Sequence, residues 1–214
     1  MPTNLHAVLT GDLIASRRSS LEANERGMSI LRAAARQFGD AWALDLRFTR
    51  FRGDGWQVLL ENPQLVLDAM IFIRARLMAG ELSMDTRVSA GIGPIDTSGT
   101  DDLSDATGQA FFVSGDHLDH ARKRRFLIAG AGVGPWQNAA VTLIEELVSG
   151  WTAAQAEAAA ISLLGDMTQE DIAKQLGVTR QAVQMRLAGA GYAALGDALH
   201  AFRNHDFAMR PQDD

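Results

Sequence analysis

Arg50-Phe-Arg-Gly-Asp-Gly-Trp56 decides how the rest of the chain is read. Leu44, Leu46 and Phe48 precede it, and Trp56, Val58 and Leu60 follow it. Apolar side chains at every second position on both flanks predict two strands. Asp-Gly between such flanks is the strongest short hairpin signal. The tip then carries a carboxylate, Asp54, between two glycines that let another group approach the backbone.

A second carboxylate, Asp12, follows the apolar run Ala7-Val8-Leu9. If the two strands are neighbours, Asp12 and Asp54 converge at one rim of a sheet. Two convergent carboxylates can hold a divalent cation, Mg²⁺ for instance, and through it a phosphate. The alternative is that Asp54 serves only the turn. Arg50 and Arg52 flank the tip on one strand face, placed either to grip a polyphosphate or to neutralise Asp54. Ile14, in the turn after Asp12, joins Arg50, Arg52, Asp12 and Asp54 as a nucleotide-binding candidate. Trp56 is placed either to stack on a base or, as strand tryptophans more often do, to fill the core.

Further along, a helix is expected from Leu21 to Phe38, stopped at Gly39-Asp40. Another begins at Asn62-Pro63 with Leu65, Ala69, Phe72, Ile73 and Leu77 as its apolar stripe. Arg87 to Pro94 reads as a strand, residues 108–122 as a third helix and Phe126 to Ala129 as a short last strand. The order predicts an α+β fold: a ferredoxin-like palm, an antiparallel sheet with helices on one face. Gly130-Ala-Gly-Val-Gly134 fails the GxGxxG pattern because position 135 is Pro, and is read as a loop and boundary. Residues 1–134 are expected to form the palm and residues 135–214 an all-α domain.

Within the helical part, residues 168–188 have the spacing of a helix-turn-helix. Thr168 caps a short first helix, Gly177 makes the turn and Thr179 caps the second helix. Ala182, Val183, Met185 and Leu187 are expected to face inward. Thr179, Arg180, Gln181, Gln184 and Arg186 would face outward, with Lys174 near phosphates. Arginine and glutamine are the side chains that read guanine and adenine edges. An ordinary helical hairpin with a solvated polar face is the plainer reading.

Bulk properties narrow the classes. The 214 residues carry a net charge of −6, which argues against a generally basic nucleic-acid coat. Cysteine is absent, excluding disulfides and thiolate chemistry and fitting a cytoplasmic setting. No signal peptide is visible, and no apolar run reaches the roughly 18 residues of a membrane span. Asp116-His117-Leu-Asp119-His120 is dense in metal-ligand types, though such short runs are more often surface polar groups. Arg122 to Arg125 is a basic run, either a phosphate contact or a solvated helix end.

The run from Trp151 through Leu187, including Thr168-Gln-Glu-Asp-Ile-Ala-Lys-Gln-Leu-Gly177, is similar to region 4 of sigma-70-type factors and covers about a fifth of the chain. Gly11-Asp12-Leu-Ile-Ala-Ser, Phe51-Arg-Gly-Asp54-Gly and Arg87-Val-Ser-Ala-Gly-Ile-Gly resemble the catalytic domain of class III nucleotidyl cyclases. That resemblance implies metal-binding roles for Asp12 and Asp54. It also implies an Asn and an Arg on the following helix, but Phe112 and Asp116 stand at those positions, so turnover is not expected. The whole arrangement resembles the SatD family. The leading expectation is a cytoplasmic DNA-binding transcription regulator, a homodimer on double-stranded DNA, with a degenerate cyclase-like palm that senses a nucleotide. An active cyclase or nucleotidyltransferase using two metal ions, or a palm serving only dimerisation, are the other readings.

Overall fold

Phe48–Phe51 (β2) and Gly55–Leu60 (β3) pair antiparallel, with Phe51 opposite Gly55 and Gly53 turning the chain at φ 80°. The computed structural model describes residues 4–14, 19–51, 53–80, 84–100, 102–121, 123–165 and 167–208. Ala15, Ser16, Arg52 and Arg122 therefore lie outside the described residues. β3 runs antiparallel beside His6–Leu13 (β1), which places Asp12 opposite Gly55. The other edge of β1 pairs antiparallel with Thr86–Gly93 (β4), which places Asp12 opposite Arg87.

Leu21–Trp42 (α1) and Val66–Met78 (α2) provide the crossovers. Their order with the strands is that of a ferredoxin-like palm, and the fold is α+β. α1 does not stop at Gly39 as expected. Gly39 is buried where Leu44 and Leu46 return over it, and a Cβ there would lie 2.8 Å from the Leu44 carbonyl oxygen. It is a close-approach residue; the helix ends at Ala43, which takes the left-handed conformation at φ 52°.

Ile95–Thr97 (β5) and Thr107–Gly108 (β6) form a small separate ribbon in the segment read as polar loop. Gln109–Asp119 (α3) then leads to Phe126–Gly130 (β7), which joins the sheet parallel to β4. α1 and α2 cover one face of the sheet, burying Leu9, Trp56, Val58, Val88 and Ala90. α3 lies on the other face, where Val8, Leu59, Leu103 and Ala110 form a second cluster. Gly91 makes that approach possible: a Cβ there would lie 2.3 Å from the Ala110 carbonyl oxygen and 2.5 Å from the Ser114 nitrogen. A Gly91→Ala variant is expected to lose about 1–3 kcal/mol, the cost of overpacking against atoms that cannot rotate away. Urea denaturation checks this; an unchanged midpoint would mean that α3 tolerates standing off the sheet.

The C-terminal third is helical: Pro135–Ser149 (α4), Ala153–Ser162 (α5), Gln169–Leu176 (α6), Arg180–Gly189 (α7) and Tyr192–Arg203 (α8). α2 is buried continuously from Val66 to Ala75, because the sheet lies on one side and α5 and α8 on the other. One apolar core thus runs from Leu9 and Phe72 to Ala156 and Leu199. Polar joints accompany it. Arg203 on α8 pairs with the fully buried Asp68 on α2 and lies 5.0 Å from the Trp42 ring, whose Nε1 donates to the Leu163 carbonyl at 3.2 Å. Arg124 and Arg125, read as a phosphate contact or a solvated helix end, are staples. Arg124 donates to Glu145 at 2.6 Å and Arg125 to Asp85 at 3.1 Å. Among the described residues no helix is long and apolar enough to cross a membrane.

Candidate nucleotide cleft and recognition helix

A cleft of about 370 Å³ opens between the β1 and hairpin rim and α3, lined among others by Asp12, Asp54, Gln57, Gly115 and Asp119. The register explains it. Side chains alternate faces along a strand, and direct partners share a face. Thr10 and Asp12 of β1 therefore emerge with Gln57 of β3 and Arg87 of β4 on the side that faces α3. The Leu13 amide donates to the Asp54 carbonyl at 3.1 Å, which ties the hairpin tip to the end of β1. Asp12 and Asp54 thus come to one cleft from positions far apart in the chain.

The floor is polar and ordered. Gln57 Nε2 donates to the Thr10 hydroxyl at 3.2 Å, and that hydroxyl lies 2.7 Å from the Ser114 hydroxyl. Ser89 Oγ, beside Thr10 in the register, is buried with no hydrogen-bond partner.

Asp12 is committed to a neighbour. Arg87 Nε donates to its Oδ1 at 2.8 Å, and Arg87 Nη2 donates to its Oδ2. The hydrogen bond that Arg87 donates to Asp12 raises the pKa of Arg87, against the cost of burial, and the charges of Asp12, Asp54 and Asp119 add to the rise. The sequence does not assign Arg87 to the cleft, and it offers Asp119 only within the Asp116 to His120 run of metal-ligand types. The signal for Arg87 was its place at the start of β4, two positions before Ser89 and so on the same face.

Other candidates are placed differently. Arg50 does not reach into the cleft: its Nη1 donates to both Glu25 oxygens, at 2.7 and 2.8 Å, and its Nε to the Gly53 carbonyl at 2.6 Å. It fastens the hairpin to α1. Ile14 spends its amide on the Asp85 carbonyl at 2.8 Å and does not line the cleft. Trp56 is fully buried, stacks on Phe48 and donates to the Thr86 hydroxyl at 3.0 Å, so it belongs to the core. Phe112 is exposed on α3 and Asp116 points to solvent, whereas Asp119, one turn on, lines the cleft. His117 and His120 donate Nδ1–H to carbonyls of their own helix, and the described residues contain no group of three or more acidic or histidine ligands for a metal.

In the tail, Thr168 caps α6 by accepting from the Asp171 amide at 3.2 Å, and Thr179 caps α7 by accepting from the Ala182 amide at 3.1 Å. Gly177, at φ 64°, takes the chain between them. Ile172, Ala173, Val183 and Leu187 pack inward. Lys174, Thr179, Arg180, Gln181 and Gln184 are exposed. Two expectations change. Met185 is 75% exposed, because it falls on the outer stripe with Gln181 and Gln184 rather than beside Val183. Arg186 turns toward α5, where its Nη1 donates to Glu157 at 3.3 Å.

No protein-family model matches the chain, and no curated protein matches it. Among solved structures it is similar to the catalytic core of a rhodopsin-guanylyl cyclase with converted specificity in complex with ATPαS, at 13% identity and TM-score 0.43, over 55% of this chain and 72% of that one. It is also similar to a bacterial light-regulated adenylyl cyclase, at 13% identity and TM-score 0.41, over 59% of this chain and 75% of that one. The active GGEEF domain of a diguanylate cyclase from Vibrio cholerae aligns at 16% identity and TM-score 0.39, over 59% of this chain and 83% of that one.

Proposed function

We propose that this chain is a DNA-binding transcription regulator, working as a homodimer, whose palm binds a nucleotide without turning it over. The observation that carries the DNA reading is the two-sidedness of α6 and α7. Their apolar side is closed, and their open side presents Lys174, Arg180, Gln181 and Gln184. Residues 165–190 hold three basic and three acidic groups, with Lys174 3.9 Å from Asp171 and Arg186 paired with Glu157, so one copy brings little net positive charge to a duplex. Arginine and glutamine supply bidentate donors and acceptors to base edges, while Lys174 suits a phosphate. One copy offers few phosphate contacts, so two recognition helices on one duplex fit better than one.

Arg180→Ala and Gln184→Ala are each expected to weaken specific duplex binding about 10- to 100-fold, the usual worth of a base contact. Lys174→Ala is expected to weaken all duplexes alike and to lower the salt slope by about 1. Fluorescence anisotropy on duplexes enriched from a random pool measures both. If the wild type enriches no duplex, the DNA reading is lost.

The palm reading rests on Asp12 and Asp54 lining one cleft. A divalent ion there would take Asp12 and Asp54 as ligands and supply positive charge toward phosphates. With Arg87 on both Asp12 oxygens the donor set does not fit such an ion, so no step is routed through one. Among the described residues α3 turns Leu118 and Asp119 to the cleft and no cation, so this helix brings no positive charge to a transition state there. The same pair of carboxylates favours a second reading, a divergent nucleotidyl cyclase or nucleotidyltransferase. That reading requires pyrophosphate release from a nucleoside triphosphate, abolished by Asp12→Ala or Asp54→Ala. Thermal-shift titration of wild type and both variants with nucleotides and Mg²⁺ tests the sensor; a flat response to all of them removes it.

A further inference from the structure

We propose that the joint between palm and tail holds a binding site for a small aromatic carboxylate, apart from the cleft between β1 and α3. A cavity of about 220 Å³ opens at that joint. Trp42 at the end of α1, Ser162 at the end of α5, and Tyr192, Gly196, Leu199 and Arg203 on α8 are among its walls. At about 30 Å³ per water it has the room of about seven waters, which suits a single ring bearing a carboxylate.

Glycine usage points to room that is kept open. Inside a helix glycine is destabilising relative to alanine, and close neighbours are the usual reason for it. Among the described helical glycines, a Cβ at Gly27, Gly39 or Gly189 would lie 3.1, 2.8 or 2.6 Å from a neighbouring atom. A Cβ at Gly115 or Gly196 would meet nothing within 4 Å. Gly115 lines the cleft beside α3, and Gly196 lines the cavity at the joint. In α8 the absent side chain relieves no clash; it leaves the cavity unfilled.

The walls set the ligand's chemistry. Arg203 is the charged side chain among the described lining residues, and its partner Asp68 is wholly buried and does not line the cavity. A guanidinium carries five N–H donors in a rigid fork, so a ligand carboxylate can join Asp68 on it. Burial, helped by the charge of Asp68, pushes the Tyr192 phenol up to about 12, so it keeps its proton and can donate. Tyr192 and Leu199 belong to the apolar core and offer the ring a wall, while Trp42 backs the guanidinium at 5.0 Å.

Titration calorimetry and thermal melts of the full chain test the site, with benzoate, benzyl alcohol, benzylammonium and inorganic phosphate as probes. Wild type is expected to bind benzoate saturably, at least tenfold more tightly than benzyl alcohol or phosphate, and to ignore benzylammonium. Tyr192→Phe should weaken benzoate about tenfold, the worth of a hydrogen bond to a charged group. Gly196→Ala should melt higher than wild type, because alanine favours helix and meets no neighbour. Gly196→Leu should melt no lower than wild type and give no benzoate isotherm. Silence of wild type toward benzoate, equal affinity for benzyl alcohol, or undiminished benzoate binding by Gly196→Leu overturns the site. A lower melting point for both Gly196 variants overturns it too, since the space would then not be open.

Discussion

Asp85→Ala is expected to cost the fold about 3–5 kcal/mol, the toll of breaking a buried ion pair from one side. Asp85 accepts from Arg74 Nε at 2.8 Å and Nη2 at 3.1 Å, from Arg125 Nε at 3.1 Å and from the Thr86 amide at 2.8 Å. Arg74 is 2% exposed and lies 5.2 Å from the Phe126 ring. Without Asp85 its charge would stay buried, with its Nη2 still donating to the Ser149 hydroxyl at 3.0 Å. The loss should appear as a lower urea midpoint at unchanged slope. A midpoint within about 1 kcal/mol of wild type would show that the site relaxes and lets water reach Arg74.

Acid exposes the same bond. Burial alone would raise the Asp85 carboxyl, but the Arg74 hydrogen bond and charge, the Thr86 amide and Arg125 together hold it below the ordinary aspartate value. A lowered folded pKa means stability that is present above the unfolded value of 3.8 and lost as pH falls through the folded value. The gap between wild type and Asp85→Ala should therefore be full at neutral pH and close below about pH 4.

The palm was legible because it is built from local signals. Alternation around Arg50 to Trp56 and the Asp-Gly turn predict the hairpin, while the meeting of Asp12 with its tip hangs on β1 lying beside β3, which the register supplies. What stayed hidden depended on contacts that no period encodes. Gly39 reads as a stop until Leu44 is seen folding back over it. The apolar stripe of α2 predicts one buried side, yet the whole helix is enclosed because residues far along the chain cover its outer surface. Arg50 and Arg87 are both arginines near the rim. Only the register and the position of Glu25 reveal that Arg87 serves the cleft and Arg50 the hairpin. Met185 reads as inward because it is apolar, but its helical phase, four residues after the exposed Gln181 and one after the exposed Gln184, sets it outward.

Arg203→Ala is expected to cost about 2–4 kcal/mol at neutral pH, less than a fully enclosed pair because Arg203 is 38% exposed. Its gap to wild type should also close in acid, although the carboxyl concerned is shifted in the direction opposite to that of Asp85. Asp68 is wholly buried, and burial outweighs the hydrogen bond and charge of Arg203, so its pKa is raised. A raised carboxyl pKa means that the folded chain holds the proton more tightly than the unfolded one. Stability from this group is then greatest below the unfolded value of 3.8 and declines as pH climbs through the folded value. Removing Arg203 deletes the two main opposing influences, so the carboxyl rises further and the declining window extends upward in pH. Acid should therefore restore much of what the variant loses at neutral pH. Two controls separate this from lost packing over Trp42. In an Asp68→Asn background the charge is gone, and Arg203→Ala should cost little, as a double-mutant cycle measures. Amide exchange should quicken first in α8, because Arg203 fastens that helix to α2. A loss that is the same at every pH, and that persists beside Asp68→Asn, would assign the joint between palm and tail to the Trp42 contact instead of the ion pair.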